Sequence, residues 1–90
     1  MRKVHKEAVE RFMAGEPGVV GPRDRIVATR NKDIAAWEYH GSAIVKRDTG
    51  GVYVSYCGWF TPSTRDRLYA ICDYLGVPRP VKTDGYIKVA

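Results

Sequence analysis

The side chains best suited to nucleophilic, acid–base or metal chemistry in this 90-residue chain are two histidines, His5 and His40, and two cysteines, Cys57 and Cys72. The histidines fall in different segments, and neither has a second histidine, cysteine or carboxylate at metal-ligand spacing. Two thiols are too few for a disulfide framework or a four-thiolate zinc site, so both are expected reduced, with Cys72 a small buried hydrophobe. A catalytic His40 would need a nucleophile such as Ser42 or Cys57 beside it, which spacing does not establish. The simpler reading makes His40 a hydrogen-bonded residue at a strand end. No P-loop, dinucleotide-binding glycine fingerprint, pair of catalytic carboxylates or nucleophile elbow occurs. We therefore expect no self-contained enzyme, no metal and no cofactor.

The richest chemistry lies in residues 57–68, where Cys57-Gly58-Trp59-Phe60-Thr61-Pro62-Ser63-Thr64-Arg65-Asp66-Arg67-Leu68 joins a strand to a helix. A helix N-terminus presents unpaired N–H groups and partial positive charge, so two arginines and several hydroxyls beside it suit a phosphate or carboxylate. The plainer reading has Thr61 and Ser63 capping the helix, Trp59 and Phe60 filling the core, and the arginines pairing with Asp66, Asp73 or Glu38 at the surface. On a helical wheel Thr64 leans toward the core, and Arg65 and Arg67 occupy opposite shoulders, with Tyr69 beside Arg65 and Tyr74 beside Arg67.

The elements that must position these residues follow from periodicity. Residues 3–14 place Val4, Ala8, Val9, Phe12 and Met13 on one half of a helical wheel, with His5 within that stripe, and Gly15 as the stop. Three glycines and two prolines in residues 15–22 mark a loop, which would let this helix act as an appendage to a core at 25–90. Short β-branched and aromatic runs at 25–30, 34–40, 43–47 and 52–57 read as strands, separated by turns at Asn31-Lys32 and at Asp48-Thr49-Gly50-Gly51. His40-Gly41-Ser42 marks either a turn or a bulge. Leu68, Ile71, Cys72 and Leu75 then fall at i, i+3, i+4 and i+7, with Thr61-Pro62 or the pair Ser63/Asp66 at the start and Gly76 at the end, giving a helix at about 62–75. A last hairpin or edge pair is expected from 80–82, the turn Thr83-Asp84-Gly85 and 86–89. The whole is one α+β domain: an N-terminal helix, an antiparallel meander of three or four strands, one helix packed across a face, and a short C-terminal strand pair.

The segment Trp59-Phe60-Thr61-Pro62-Ser63-Thr64-Arg65-Asp66-Arg67-Leu68, preceded by Tyr39-His40-Gly41-Ser42-Ala43-Ile44-Val45, resembles a family of small uncharacterised bacteriophage proteins. Their pattern is a Leu-His-Gly-Thr-x-Ile-Val strand followed by Gly-Gly-Trp-x-Thr-x-Thr-Thr-x-x-Arg-x-Asn opening a helix. The resemblance covers roughly residues 34–90 and touches His40, Gly41, Gly58, Trp59, Thr61, Ser63, Thr64 and Arg67. Cys57 stands for the first glycine of the pair and Tyr69 for the asparagine, and the N-terminal helix lies outside the pattern. The resemblance implies a phage or prophage origin, and no activity comes with it.

Composition narrows the partners. Apolar residues at 44% and charged residues at 28% suit a folded globular chain, not a disordered one. No run approaches the roughly 18 apolar residues of a spanning helix, and Met1-Arg2-Lys3 leads into charged residues, so a soluble protein of the host cytosol with no membrane partner is expected. The first functional reading is contact with a host protein, blocking it as counter-defence proteins and inhibitors of CRISPR effectors do, through Trp59, Thr61, Ser63, Thr64, Arg65, Arg67 and His40. The second is nucleic-acid binding, for which the net charge of +5 is a modest signal, through Arg23, Arg25, Arg30, Lys32, Lys46 and Arg47. Asp24, Asp33 and Asp48 interrupt that basic set. The third is capture of a small phosphorylated signal at the start of the second helix. A second copy of the chain is also a candidate partner, and the sequence leaves oligomeric state open.

Overall fold

A computed structural model describes residues 2–82 and 85–90. Helix α1 spans Lys3–Ala14 and α2 spans Pro62–Leu75; six strands, β1 Gly18–Val19, β2 Asp24–Ala28, β3 Ala35–Tyr39, β4 Ser42–Asp48, β5 Gly51–Val54 and β6 Ile87–Lys88, form one sheet in chain order. Every neighbouring pair is antiparallel. The α+β class stands as expected, and two-residue strands widen the meander at both edges. One comes from the glycine- and proline-rich stretch assigned to loop, where Gly18 and Val19 pair with Ile26 and Arg25. The other is C-terminal: Ile87 and Lys88 find their partners in Val54 and Tyr53 of β5, not in residues 80–82. Of the turn expected there, Thr83 and Asp84 lie outside the described residues.

Both helices end the same way. Gly15 and Gly76 adopt left-handed conformations, and the next residue's N–H reaches back five residues, from Glu16 to Arg11 and from Val77 to Cys72. At the start of α2, Thr61 is the N-cap: its Oγ1 accepts from the Thr64 N–H at 3.3 Å, and Pro62 occupies the first helical position, where its missing N–H costs nothing.

Both helices also cover the same face of the sheet. Ala8, Val9 and Phe12 of α1 meet Ile26, Trp37, Val45 and Val54 of the sheet and Leu68, Ile71 and Cys72 of α2 in one buried cluster. Helix α1 packs on β2, β3 and α2 and is integral to the core, not appended to it. Burial of each large side chain is worth about 1.5–3 kcal/mol, so in a core this small α1 supplies a substantial share of the folding free energy.

The segment His40-Gly41-Ser42 is a turn, and the sheet's bulge lies outside it. His40 and Gly41 have φ of 51° and 79° and make a two-residue hairpin turn between paired Tyr39 and Ser42. A few residues on, the register shifts between Trp37 and Glu38, which puts the extra residue Ile44 into the core beside Val45. A Cβ at position 41 would touch nothing within 4 Å, so the requirement for glycine is conformational alone. Gly41→Ala is expected to lower the unfolding free energy by about 1–2 kcal/mol, and Gly41→Asn by less, in urea melts followed by circular dichroism.

Candidate functional site

The site is organised by an acid and a base far apart in the chain. Asp24 opens β2 on the side that alternation gives to Ile26, the core side, and Arg67 lies two turns into α2. Their side chains are 1% and 10% exposed, and they meet fork to fork, Nε to Oδ2 at 2.7 Å and Nη2 to Oδ1 at 2.8 Å. Trp37 Nε1 donates to the same Oδ2 at 2.8 Å, and Arg67 Nη1 donates to the Ser63 carbonyl at 2.9 Å. The guanidinium lies 3.8 Å over the centre of the Tyr39 ring. Burial alone would push the Asp24 carboxyl up, but the hydrogen bonds from Arg67 and Trp37, with the arginine's charge, hold it below its ordinary value. His5 is buried close by, its ring 6.4 Å from that of Trp37. Desolvation first, then repulsion by Arg67, lowers its pKa, with Asp24 opposing.

Tyr39, pinned from behind by Arg67, forms the floor of an open groove of about 490 Å³ lined by His40, Trp59, Thr61, Ser63 and Thr64. The His40 ring meets Tyr39 edge-on at 4.5 Å. Trp59 is held by a second turn like that at His40-Gly41: Cys57 and Gly58 have φ of 52° and 79°, and Trp59 N–H donates to the Tyr56 carbonyl at 2.8 Å. Thr61 N–H then donates to the Trp59 carbonyl at 2.8 Å, and Cys57 N–H to Ser55 Oγ at 3.0 Å. Phe60 leans on Tyr56 with ring centres 5.5 Å apart. This overturns the plainer reading, which put both aromatics in the core, since Trp59 is 56% and Phe60 42% exposed. The turn aims both rings outward.

Five of the residues expected at a partner surface, His40, Trp59, Thr61, Ser63 and Thr64, therefore come together in one groove. Thr64 is fully buried within its lining, its hydroxyl 3.2 Å from that of Thr61. Arg67 is not a surface residue, and its partner is Asp24, not a surface carboxylate. Arg65 faces away, paired with adjacent Asp66 and near the Tyr69 ring, in a separate cleft with Arg2, His5 and Arg79.

The basic set is scattered. Arg47 turns to the helix side, where its Nη2 donates to the Phe12 carbonyl at 3.2 Å. Arg30 and Lys32 occupy the β2–β3 turn, and the Lys32 side chain abuts Gly15. Arg23 and Arg25 both border a small cleft with Glu38 and His40, and Arg25 and Lys46 are exposed on the face of the sheet that the helices leave open. Sequence reasoning missed Asp24 and Tyr39. The signal was present: Asp24, Ile26 and Ala28 alternate, so an aspartate on the core side of a strand called for a buried partner.

Fold and site together define a two-layer α+β protein with an aromatic groove at one end, and among its described residues no cluster of histidine, cysteine and carboxylate side chains could hold a metal ion. The chain belongs to a phage family: the model described as Kyanoviridae Gp96 protein matches residues 1–87. The match includes α1, which is thus within the family's length and not an addition peculiar to this chain. No curated protein and no solved structure matches. No helix among the described residues is long and apolar enough to cross a membrane.

Two consequences can be measured. Arg67→Met leaves the Asp24 carboxylate buried with only Trp37, and should cost about 3–5 kcal/mol in urea unfolding; adding Asp24→Leu should recover most of that loss. Acid should destabilise the fold in two stages. His5 binds its proton more readily unfolded than folded, so stability falls as pH drops below the ordinary histidine value of 6.5. Asp24 adds a second loss as pH falls from 3.8 through its lower folded value. His5→Gln should remove the first stage and keep the second.

Proposed function

We propose that this protein acts by binding rather than by catalysis, and that the groove of Tyr39, His40 and Trp59 contacts a host protein and blocks it, as a counter-defence protein such as an inhibitor of a CRISPR effector would. The observation that carries the reading is Trp59, held 56% exposed beside a groove on a corner fixed by hydrogen-bonded turns. An aromatic anchor on a rigid support binds with little loss of conformational entropy, which is why tryptophan dominates interface hot spots. Membership of a phage protein family supports a host target.

Capture of a small phosphorylated signal at the start of α2 is less well supported. Pro62 has no N–H, the Thr64 N–H is taken by Thr61, Arg67 is committed to Asp24, and Arg65 faces elsewhere. The groove offers aromatic surface instead of free cationic donors.

The test is quantitative capture from infected host cells with the wild-type protein and Trp59→Ala, followed by titration of the captured protein. Trp59→Ala should melt within about 2 °C of wild type, because the ring is largely outside the core. It should weaken binding by about thirtyfold or more, the loss typical of a hot-spot residue. Unchanged affinity of Trp59→Ala for the captured protein would refute the reading.

A further inference from the structure

Both helices cover one face of the sheet, and the other face has its own chemistry. In-register pairing sets Val27, Ala36, Lys46, Tyr53 and Lys88 side by side across β2 to β6. Tyr53 thus has a lysine directly opposite on each neighbouring strand. Tyr86, two residues before Lys88 and so on the same side, lies across the sheet: its hydroxyl donates to the Ala43 carbonyl at 2.6 Å, and Lys46 Nζ sits 4.2 Å over its ring. Lys46 and Lys88 are exposed, Tyr86 is 43% exposed, and the small Ala36 and Ala43 leave the surface between them flat. In the adjacent row Arg25 pairs across with Glu38. Asp48, at the end of the face, accepts from Gly50 N–H.

We propose that this open face binds single-stranded RNA, with bases stacked on Tyr53 and Tyr86 and phosphates on Lys46, Lys88 and Arg25. Strands lie about 4.8 Å apart, so Lys46 and Lys88 bracket Tyr53 at a separation of about 10 Å. Cations on either side of a ring suit a chain in which phosphates flank each base. A flat sheet face cannot enter the groove of a duplex, whereas unpaired bases can splay onto an aromatic platform. The half-buried Glu38 carboxylate has no ion pair within 4 Å among the described residues. Beside a bare phosphate chain it is repulsive, but it accepts from a ribose 2′-hydroxyl, a donor that DNA lacks. The surface does not include the Trp59 groove, and the inference is independent of the host-protein reading. It also redraws the basic set expected from sequence: Arg25 and Lys46 stay, Arg23, Arg30, Lys32 and Arg47 drop out, and Lys88 enters with the two tyrosines.

The experiment is fluorescence anisotropy of the full chain with labelled oligouridylate and oligothymidylate of about 12 nucleotides, within the usual site sizes, an RNA duplex, and heparin as a generic polyanion, over a salt series. Binding of the RNA strand is expected, tighter than the DNA strand and the duplex. Tyr53→Leu should weaken it about tenfold. The pair Lys46→Gln and Lys88→Gln should reduce the slope of log affinity against log salt by about 1.4, two phosphate contacts on a single strand. Glu38→Leu, which removes the acceptor, should erase the preference for RNA over DNA, and Trp59→Ala should change nothing. Circular dichroism checks each variant, and the lysine pair decides the matter if Tyr53→Leu does not fold. Failure to bind the RNA strand, equal affinity for DNA, duplex or heparin, indifference to the lysine pair, or loss of binding in Trp59→Ala each overturns the proposal.

Discussion

The ion pair between Asp24 and Arg67 sets how the two layers meet. It joins residues 43 apart in sequence, the start of β2 and the second turn of α2, and both groups are almost out of water. A buried pair is weak evidence of net stability, because desolvating two charges offsets most of their attraction. What this pair supplies is a docking geometry with few alternatives. The carboxylate takes two parallel N–H donors from Arg67 and a third from Trp37, while the third guanidinium nitrogen reaches back to Ser63. Sliding α2 by one turn along the sheet would break both Arg67–Asp24 bonds and leave a carboxylate and a guanidinium unpaired in the core. Apolar packing of Leu68 and Ile71 alone would tolerate such a slip far better, since hydrophobic contact is not directional.

The same pair fixes the groove. Tyr39 has the guanidinium over its ring and meets the His40 ring edge-on, so its ring cannot turn without disturbing these contacts. The hydroxyl rim is likewise settled by the N-cap of α2, through Thr61 and Thr64. The groove floor therefore inherits its order from the core, and only its aromatic edge at Trp59 depends on local turn chemistry.

Much of the fold was legible because it was written locally. Both helices carry their own punctuation: Thr61-Pro62 and Gly76 bound α2 at the residues expected, and Gly15 ends α1. The four longer strands follow from β-branched and aromatic runs between turns. The two edge strands were not legible, because a two-residue strand has no periodicity, and β1 and β6 exist only through the register offered by β2 and β5. The groove was legible in its members but not in its roles. The helical wheel puts Arg67 on a shoulder and Asp24 interrupts a basic run, and only the fold brings the two together. Residue type leaves the aromatic pair open between core and partner surface, whereas the backbone at Cys57-Gly58 decides where those rings go.

That backbone is informative in its own right. Among the described residues three non-glycine positions have positive φ, Lys32, His40 and Cys57, and two of the three carry the walls of the groove. A left-handed conformation costs a side-chain-bearing residue about 1–2 kcal/mol, and domains of this size are stable by only about 5–15 kcal/mol. The Trp59 corner adds to this by leaving two large aromatic side chains in water, where burial of each would contribute about 1.5–3 kcal/mol. A chain selected for stability alone would place glycine or asparagine at 40 and 57 and turn Trp59 inward. Two of the three left-handed residues, the forfeited aromatic burial and the buried ion pair fall at one end of the molecule, around a single concavity, while the third, Lys32, lies in the β2–β3 turn. Such a concentration of unfavourable terms persists only because the surrounding core and turns over-determine the geometry of that end.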